Sequence, residues 1–257
     1  MRRVVCGLID LVFPDQCRLC NEPLHEVSRI PVCSRCLHQP EPLHAESFCA
    51  TCRTPFVNRA PLDEAGQCAL CRLGANGFDQ VYSFGAYEGS LRRLIHLFKF
   101  EGVQPLAKPL GEYLALALPR ETNFDAIVPM PLHWWRQWDR GFNQSELLAK
   151  EIGRRWNAPV RPLVHRKRAT APQAGLTSSQ RRLNVRGAFS VKAKSSLKGM
   201  RILLVDDVLT TGATASACAR ALKRAGASHV SFLALARRDR RSSVPDFEIA
   251  GSATAGS

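Results

Sequence analysis

Between Arg201 and Ala221 the chain reads RILLVDDVLTTGATASACARA, with Ile202, Leu203, Leu204 and Val205 running straight into two carboxylates and a threonine loop. No other stretch restricts the fold so tightly. A strand that is apolar at every position leaves no face for water, so it belongs in a parallel sheet covered on both sides. The alanine-rich run from Ala213 to Lys223 supplies the helix that follows. The pattern predicts an α/β fold, a doubly wound parallel sheet, with a ligand site where the strand ends. Thr210, Thr211, Gly212, Ala213 and Thr214 lie at that end. Backbone N–H groups at a helix start attract anions, the hydroxyls add donors, and Gly212 lets the chain come close, so the loop suits a phosphate. Asp206 and Asp207 are acceptors for vicinal hydroxyls such as those of a ribose. The simpler alternative, an acid pair that only binds Mg²⁺ or caps the helix at Ala213, requires hydrophobic run, acid pair, Thr-Thr-Gly and helix to coincide by accident.

Eight of the ten cysteines form four Cys-x-x-Cys knuckles, Cys17/Cys20, Cys33/Cys36, Cys49/Cys52 and Cys68/Cys71, separated by 12, 12 and 15 residues. A two-residue spacer lets both thiolates of a knuckle face one ion, so two Cys₄ Zn²⁺ sites are expected. Sequential pairing makes tandem ribbons and crossed pairing interleaves them. Cys₄ leaves no open coordination position, which makes both sites structural rather than catalytic. The region holds too few large apolar residues for a core of its own, so metal must help it fold. Cys6 and Cys218 lie on apolar helical patterns and read as small buried hydrophobes. His25, His38 and His44 sit beside the knuckles and read as surface residues.

Charge is distributed unevenly. The segment from Ile152 to Val205 has no Asp or Glu but 13 Lys and Arg; outside it 23 basic residues face 22 acidic ones. A local field of that kind implies an anionic partner, a polyphosphate ligand or a nucleic acid, against the alternative of a merely solvated basic face. No apolar run reaches the ~18 residues of a membrane span. In Met1 to Phe13, Asp10 interrupts the apolar stretch and no cleavage site follows, which argues against a signal peptide. Val4, Leu8, Leu11 and Val12 fit one helix face instead, docked on the protein or on a membrane surface.

Along the chain, Gly74 to Gly77 reads as a linker, Asp79 to Tyr87 as a strand, and Leu91 to Phe100 as a helix with Leu91, Leu94, Ile95 and Phe98 on one face. Helices follow at Gln104 to Leu118, Ser145 to Trp156 and 213–225, with strands at Phe124 to Leu132, Val160 to Val164, 201–206 and His229 to Ala236, and Gly226 as a helix C-cap. His133 to Gln144 is too polar and aromatic for a core strand and reads as a functional loop. In it Arg136 and Arg140 are donors, while Trp134, Trp135 and Trp138 either stack on a base or roof the core. His165 to Phe189 lacks periodicity and reads as a lid or binding loop, the alternative being a structured arm or linker. The expected organisation is a zinc-ribbon region at 1–74, the α/β unit at 77–238 and a disordered tail at 239–257.

The stretch around Val205 to Thr214 resembles the phosphoribosyl pyrophosphate (PRPP) motif of type I phosphoribosyltransferases. Combined with the cysteine region, RGFNQSELLA (Arg140 to Ala149) and the segment Arg166 to Phe189, it resembles the ComF/GntX family over nearly the whole chain. That resemblance implies a cytoplasmic bacterial protein linked to natural competence or use of external DNA. It implies Asp206 and Asp207 on the ribose hydroxyls, Val205 and Thr210 to Thr214 around the 5′-phosphate, and Pro131 to Arg140, with Arg136 and Arg140, on the pyrophosphate. It also implies Mg²⁺ bridging ribose and pyrophosphate oxygens, and a lid at His165 to Arg186. Two functions follow. One is an enzyme transferring ribose phosphate to an unidentified base. The other is a PRPP sensor or DNA-uptake module that binds single-stranded DNA or a helicase; a homo-oligomer is compatible with both.

Protein purified without added metal should carry two Zn²⁺ per chain by elemental analysis. Zinc-free protein with its eight knuckle thiols oxidised in pairs would contradict the ribbon reading.

Overall fold

The structure is a computed structural model that describes residues 16–24, 28–74, 76–132, 141–167, 187–191 and 196–238. The expected N-terminal helix, His25, the tryptophan-bearing loop at 133–140, the lid at 168–186 and the tail at 239–257 lie outside the described residues.

The centre is a four-stranded, all-parallel sheet. Its strands are β3 (Gln80–Ala86), β4 (Ala126–Pro129), β7 (Arg201–Leu209) and β8 (His229–Arg237), in the order β3-β8-β7-β4. Side chains alternate across β7, so Ile202 and Leu204 join one core while Leu203 and Val205 join the other. On the first face lies α6 (Ala213–Arg224), contributing Cys218, Ala219 and Leu222. On the second lie α3 (Gly89–Phe100), α4 (Ala107–Ala117) and α5 (Gln144–Trp156), contributing Leu94, Ile95, Phe98, Leu110, Leu114, Leu148 and Ile152. Each fully buried Leu or Ile is worth about 1.5–3 kcal/mol relative to exposure, which is why the apolar run of β7 has one stable position, the middle of this sandwich. Cys218 is fully buried, and burial together with the nearby Asp206 charge pushes its thiol up, so it stays a neutral filler as its pattern suggests.

Three local expectations are corrected. The strand expected at Val160 to Val164 is reduced to one parallel bridge between Val160 and Ile127, because Pro162 has no N–H with which to continue a ladder. Pairing resumes as β5 (Val164–Arg166), antiparallel to β6 (Phe189–Val191), so both ends of the supposed aperiodic loop are strand. Gln104 to Leu118 splits into a 3₁₀ turn at Gln104–Leu106, with proline in its first turn, and the helix α4.

The cysteine region holds the short elements α1 (Ser34–Leu37), β1 (Ser47–Phe48), β2 (Pro55–Phe56) and α2 (Ala69–Arg72) and packs directly on the sheet unit. Around the first four cysteines, the Arg93 guanidinium donates to the Leu19 carbonyl, Tyr113 donates to the Leu37 carbonyl, and Arg18 pairs with Glu101 at 2.8 Å. Around the second four, the Val81 N–H donates to the Thr51 carbonyl at 3.0 Å along the open edge of β3. Arg237, buried at the end of β8, donates to the Cys52 carbonyl at 2.8 Å and to Thr54 Oγ1 at 2.9 Å. The region therefore borrows its core from the sheet.

The turn at Gly77 is more than a spacer. Its N–H donates to Ser216 Oγ at 2.7 Å, and a Cβ there would lie 2.3 Å from the Ser216 carbonyl oxygen. Gly77→Ala should therefore force α6 off the chain and lower stability by roughly 1–3 kcal/mol, read as an earlier urea midpoint with an unchanged slope.

Candidate functional site

The C-terminal ends of the parallel strands open onto a cavity of about 300 Å³. Asp206 and Asp207, the turn residues Thr210, Gly212 and Thr214, and Met130, Pro131 and Leu132 just past β4 line it. Lys99, Gln144 and Arg166 also line it. The acid pair lies inside β7 rather than beyond it, because β8 runs on to Arg237 and keeps Val208 and Leu209 paired with Ala236 and Arg237.

Of the residues that the sequence singled out, Asp206, Asp207, Thr210, Gly212 and Thr214 meet in this one cavity. Val205 does not line it. Its side chain is fully buried in the helical core, and its carbonyl accepts from the Met130 N–H at 2.8 Å, tying β7 to the end of β4. Thr211 Oγ1 accepts from the Ala213 N–H at 3.4 Å, so these two shape the turn. Gly212 heads α6 at φ +73°, a left-handed conformation that glycine adopts without strain. Arg136 and Arg140 lie outside the described residues.

The two carboxylates have different surroundings. Asp207 is buried, with Lys99 Nζ at 2.6 Å and the Gln144 amide donating at 3.3 Å, both to Oδ2. Asp206 Oδ1 accepts from Ser145 Oγ at 2.8 Å and from the Asp207 N–H at 2.9 Å. Burial, and then the neighbouring Asp207 charge, push Asp206 up to about 6, against the opposing pull of Lys99 and the Ser145 hydroxyl. Gln144 and Ser145 are the first two residues of α5, whose N-terminal end favours negative charge. Asn143 sets their position, its Oδ1 capping the Ser145 N–H at 3.0 Å and its Nδ2 donating to the Met130 carbonyl at 3.2 Å.

Sequence reasoning gave Lys99 and Ser145 no individual role and placed Gln144 only as the last residue of the loop read as functional. The faint signal for Lys99 is its place four residues after Ile95, on the margin of a buried stripe. For Gln144 and Ser145 it is their place directly behind an Asn N-cap, at the end of a loop already suspected of binding.

The thiols assemble in sequential order as two clusters, Cys17/Cys20/Cys33/Cys36 and Cys49/Cys52/Cys68/Cys71, whose sulfurs within each cluster lie within 4.8 Å of one another. Cys20 to Cys33, Cys52 to Cys68, Cys49 to Cys71 and Cys68 to Cys71 are 3.7, 3.7, 3.6 and 3.6 Å apart. A tetrahedron with Zn–S bonds near 2.3 Å has sulfurs about 3.8 Å apart, so this is the spacing a zinc tetrathiolate needs. Donors to sulfur surround them: Cys33 N–H on Cys17 at 3.3 Å, Cys68 N–H on Cys49 at 3.3 Å and the Asn76 amide on Cys71 at 3.1 Å. Such donors offset the excess negative charge of four thiolates around one dication. Both clusters thus support Zn²⁺ sites. His38 and His44 are exposed and belong to neither.

Comparison with known proteins gives two family matches. The phosphoribosyl transferase domain family matches residues 143–252, and the double zinc ribbon domain family matches residues 8–72. Competence protein F of Haemophilus influenzae is 34% identical over 168 residues, covering 62% of this chain and 73% of that protein. The chain belongs to the competence protein F (ComF) family. Among other ComF relatives, DNA utilization protein YhgH of Escherichia coli K12 is 35% identical over 62% of this chain and 73% of its own length. Competence protein ComFC of Bacillus subtilis is 31% identical over 62% of this chain and 64% of its own. Among solved structures, a glutamine PRPP amidotransferase from B. subtilis overlaps 51% of this ComF chain and 26% of its own at 21% identity and a TM-score of 0.35, too loose to carry an argument. Among the described residues no helix is long and apolar enough to cross a membrane.

The folded pKa of Asp206, about 6, lies above the ordinary 3.8, so the folded protein holds a proton that the unfolded chain has released between those values. Stability contributed by this group is therefore present at the acid end and declines as pH rises from about 4 to about 6, by at most roughly 2–3 kcal/mol. Asp206→Asn should lack that decline, measured as the difference between the two proteins in urea titrations at pH 4.5 and 7.

Proposed function

We propose that this ComF protein binds PRPP with Mg²⁺ in the cavity at the end of β7 and transfers the phosphoribosyl group to an acceptor base. The observation that carries the reading is the meeting of Asp206, Asp207, Thr210, Gly212 and Thr214 in one cavity of about 300 Å³, at the carboxyl ends of parallel strands. In this reading Asp206 and Asp207 accept from the ribose 2′- and 3′-hydroxyls, and the Thr210 to Thr214 turn holds the 5′-phosphate. Pro131 to Arg140, with Arg136 and Arg140, receives the pyrophosphate. The carboxylates fit a cation, since Asp207 already holds the Lys99 ammonium and burial, then the neighbouring Asp207 charge, raises Asp206. Mg²⁺ would be held through that pair and would neutralise the departing pyrophosphate. The acceptor nitrogen bonds to the anomeric carbon as the bond from that carbon to pyrophosphate breaks, so the residues act by positioning and charge neutralisation rather than covalently.

A second reading keeps the pocket as a sensor and assigns the basic segment to single-stranded DNA or a helicase partner. It draws on the exposed Arg154, Arg161, Lys198 and Arg201 and on relatives named for DNA utilization. Both readings assume a cytoplasmic protein.

Calorimetric titration with PRPP and Mg²⁺ tests the pocket. Asp206→Asn should weaken binding roughly ten- to a hundredfold, one charge-assisted hydrogen bond at ~1.5–3 kcal/mol. Asp206 is the cleaner substitution, because neutralising Asp207 also strands Lys99. Gly212→Val should weaken binding independently by straining the turn. A wild-type protein that ignores millimolar PRPP but binds oligonucleotide in a salt-dependent manner favours the second reading.

A further inference from the structure

Two cations among the described residues line the cavity, Arg166 from β5 and Lys99 from the last turn of α3. Lys99 Nζ reaches Asp207 Oδ2 at 2.6 Å; the lysine side chain keeps 21% of its surface exposed, while that of Asp207 keeps 3%. Lys99 is thus a partly exposed side chain whose ammonium rests on a buried carboxylate. The oxygen it touches also accepts from Gln144, the first residue of α5. Gln144 directly follows the segment 131–143 that leaves β4, and Met130, Pro131 and Leu132 at the start of that segment line the same cavity. Lys99 therefore shares Asp207 with the first residue of α5, in the cavity that Met130, Pro131 and Leu132 also line.

Charge explains why it rests there and why it would leave. One ammonium, that of Lys99, rests on the adjacent carboxylates through Asp207 Oδ2. A divalent cation arriving at the carboxylates would replace the charge that the ammonium supplies. Lysine is a compact point charge on a flexible four-carbon stem, able to turn to a nearby anion without moving the backbone. We propose that Lys99 is a further pyrophosphate-binding cation of this pocket in addition to Arg136 and Arg140, held on Asp207 in the free protein and handed to the pyrophosphate oxygens when Mg²⁺ and PRPP enter. This rests on the PRPP reading of the same cavity. No bond is made or broken in the exchange. A ligand with a 5′-phosphate but no pyrophosphate leaves Lys99 where it is.

The test compares Mg²⁺-PRPP, Mg²⁺-pyrophosphate and ribose 5-phosphate by calorimetric titration of the full chain as wild type, Lys99→Met and Lys99→Arg. Lys99→Met should weaken PRPP and pyrophosphate by roughly tenfold or more, while ribose 5-phosphate stays within about threefold of wild type. Lys99→Arg, which keeps a charge of similar reach, should recover most of the loss. If Lys99→Met does not fold because Asp207 is left bare, Lys99→Met with Asp207→Asn is compared with Asp207→Asn alone on the same criteria. Equal weakening of PRPP and ribose 5-phosphate makes Lys99 a structural counterion and overturns the proposal, as does no change in either. A wild type that binds neither PRPP nor pyrophosphate overturns the pocket reading itself, a different result from a wild type that binds both and is indifferent to Lys99.

Discussion

The fold depends on one constraint: β7 has no face that tolerates water. Its backbone pairs with β4 on one side and β8 on the other, and its side chains alternate between two cores. Helices must cover both faces, so the sheet is parallel and the polar ends of its strands collect at one edge. Asp206 and Asp207 are accommodated at the end of that strand because Lys99 of α3 and Gln144 and Ser145 of α5 meet them. The cavity follows from the burial of the strand that leads to it.

That edge is electrostatically unfinished. Two carboxylates in succession share Lys99, the Gln144 amide, the Ser145 hydroxyl and one backbone N–H. These donors come from α3, α5 and β7, so the pair is positioned by three elements at once. Asn143 adds a fourth link by clasping the Met130 carbonyl at the end of β4. A site held this way keeps two carboxylates adjacent, and Asp206 is raised to about 6 by burial first and by the neighbouring Asp207 charge second.

The cysteine region relies on the same sheet. It supplies few large apolar side chains of its own. Cys49, Cys52 and Cys68 instead pack in a core with Val81 and Phe78, and Cys17 and Cys36 in the other core. Arg237 gives the connection direction. At the end of β8 it holds the Cys52 carbonyl and Thr54, whose hydroxyl lies 3.0 Å from Cys52 Sγ, so the second thiol cluster is one side chain away from the strand that borders Leu209.

What the sequence by itself determined is local chemistry: the buried strand with its acid pair and threonine turn, the four knuckles, and the apolar stripe of α3. Each is written in residues close enough to be read as one pattern, because the periodicities of strand and helix and the reach of a two-residue knuckle are short. The clustering of Asp206, Asp207, Thr210, Gly212 and Thr214 was legible for that reason. Tertiary structure decided what lies between distant segments. Lys99 meets Asp207 across more than a hundred residues, and Gln144 and Ser145 meet the acids across about sixty. The sequential pairing of the knuckles, open to either topology from spacing alone, is seen only where the chain folds the thiols into two clusters. The extension of β7 to Leu209 depends on β8 being long enough to pair with it. The hairpin of β5 and β6 was invisible for the same reason: each strand is three residues long, too short for a period, and exists only because the other lies beside it.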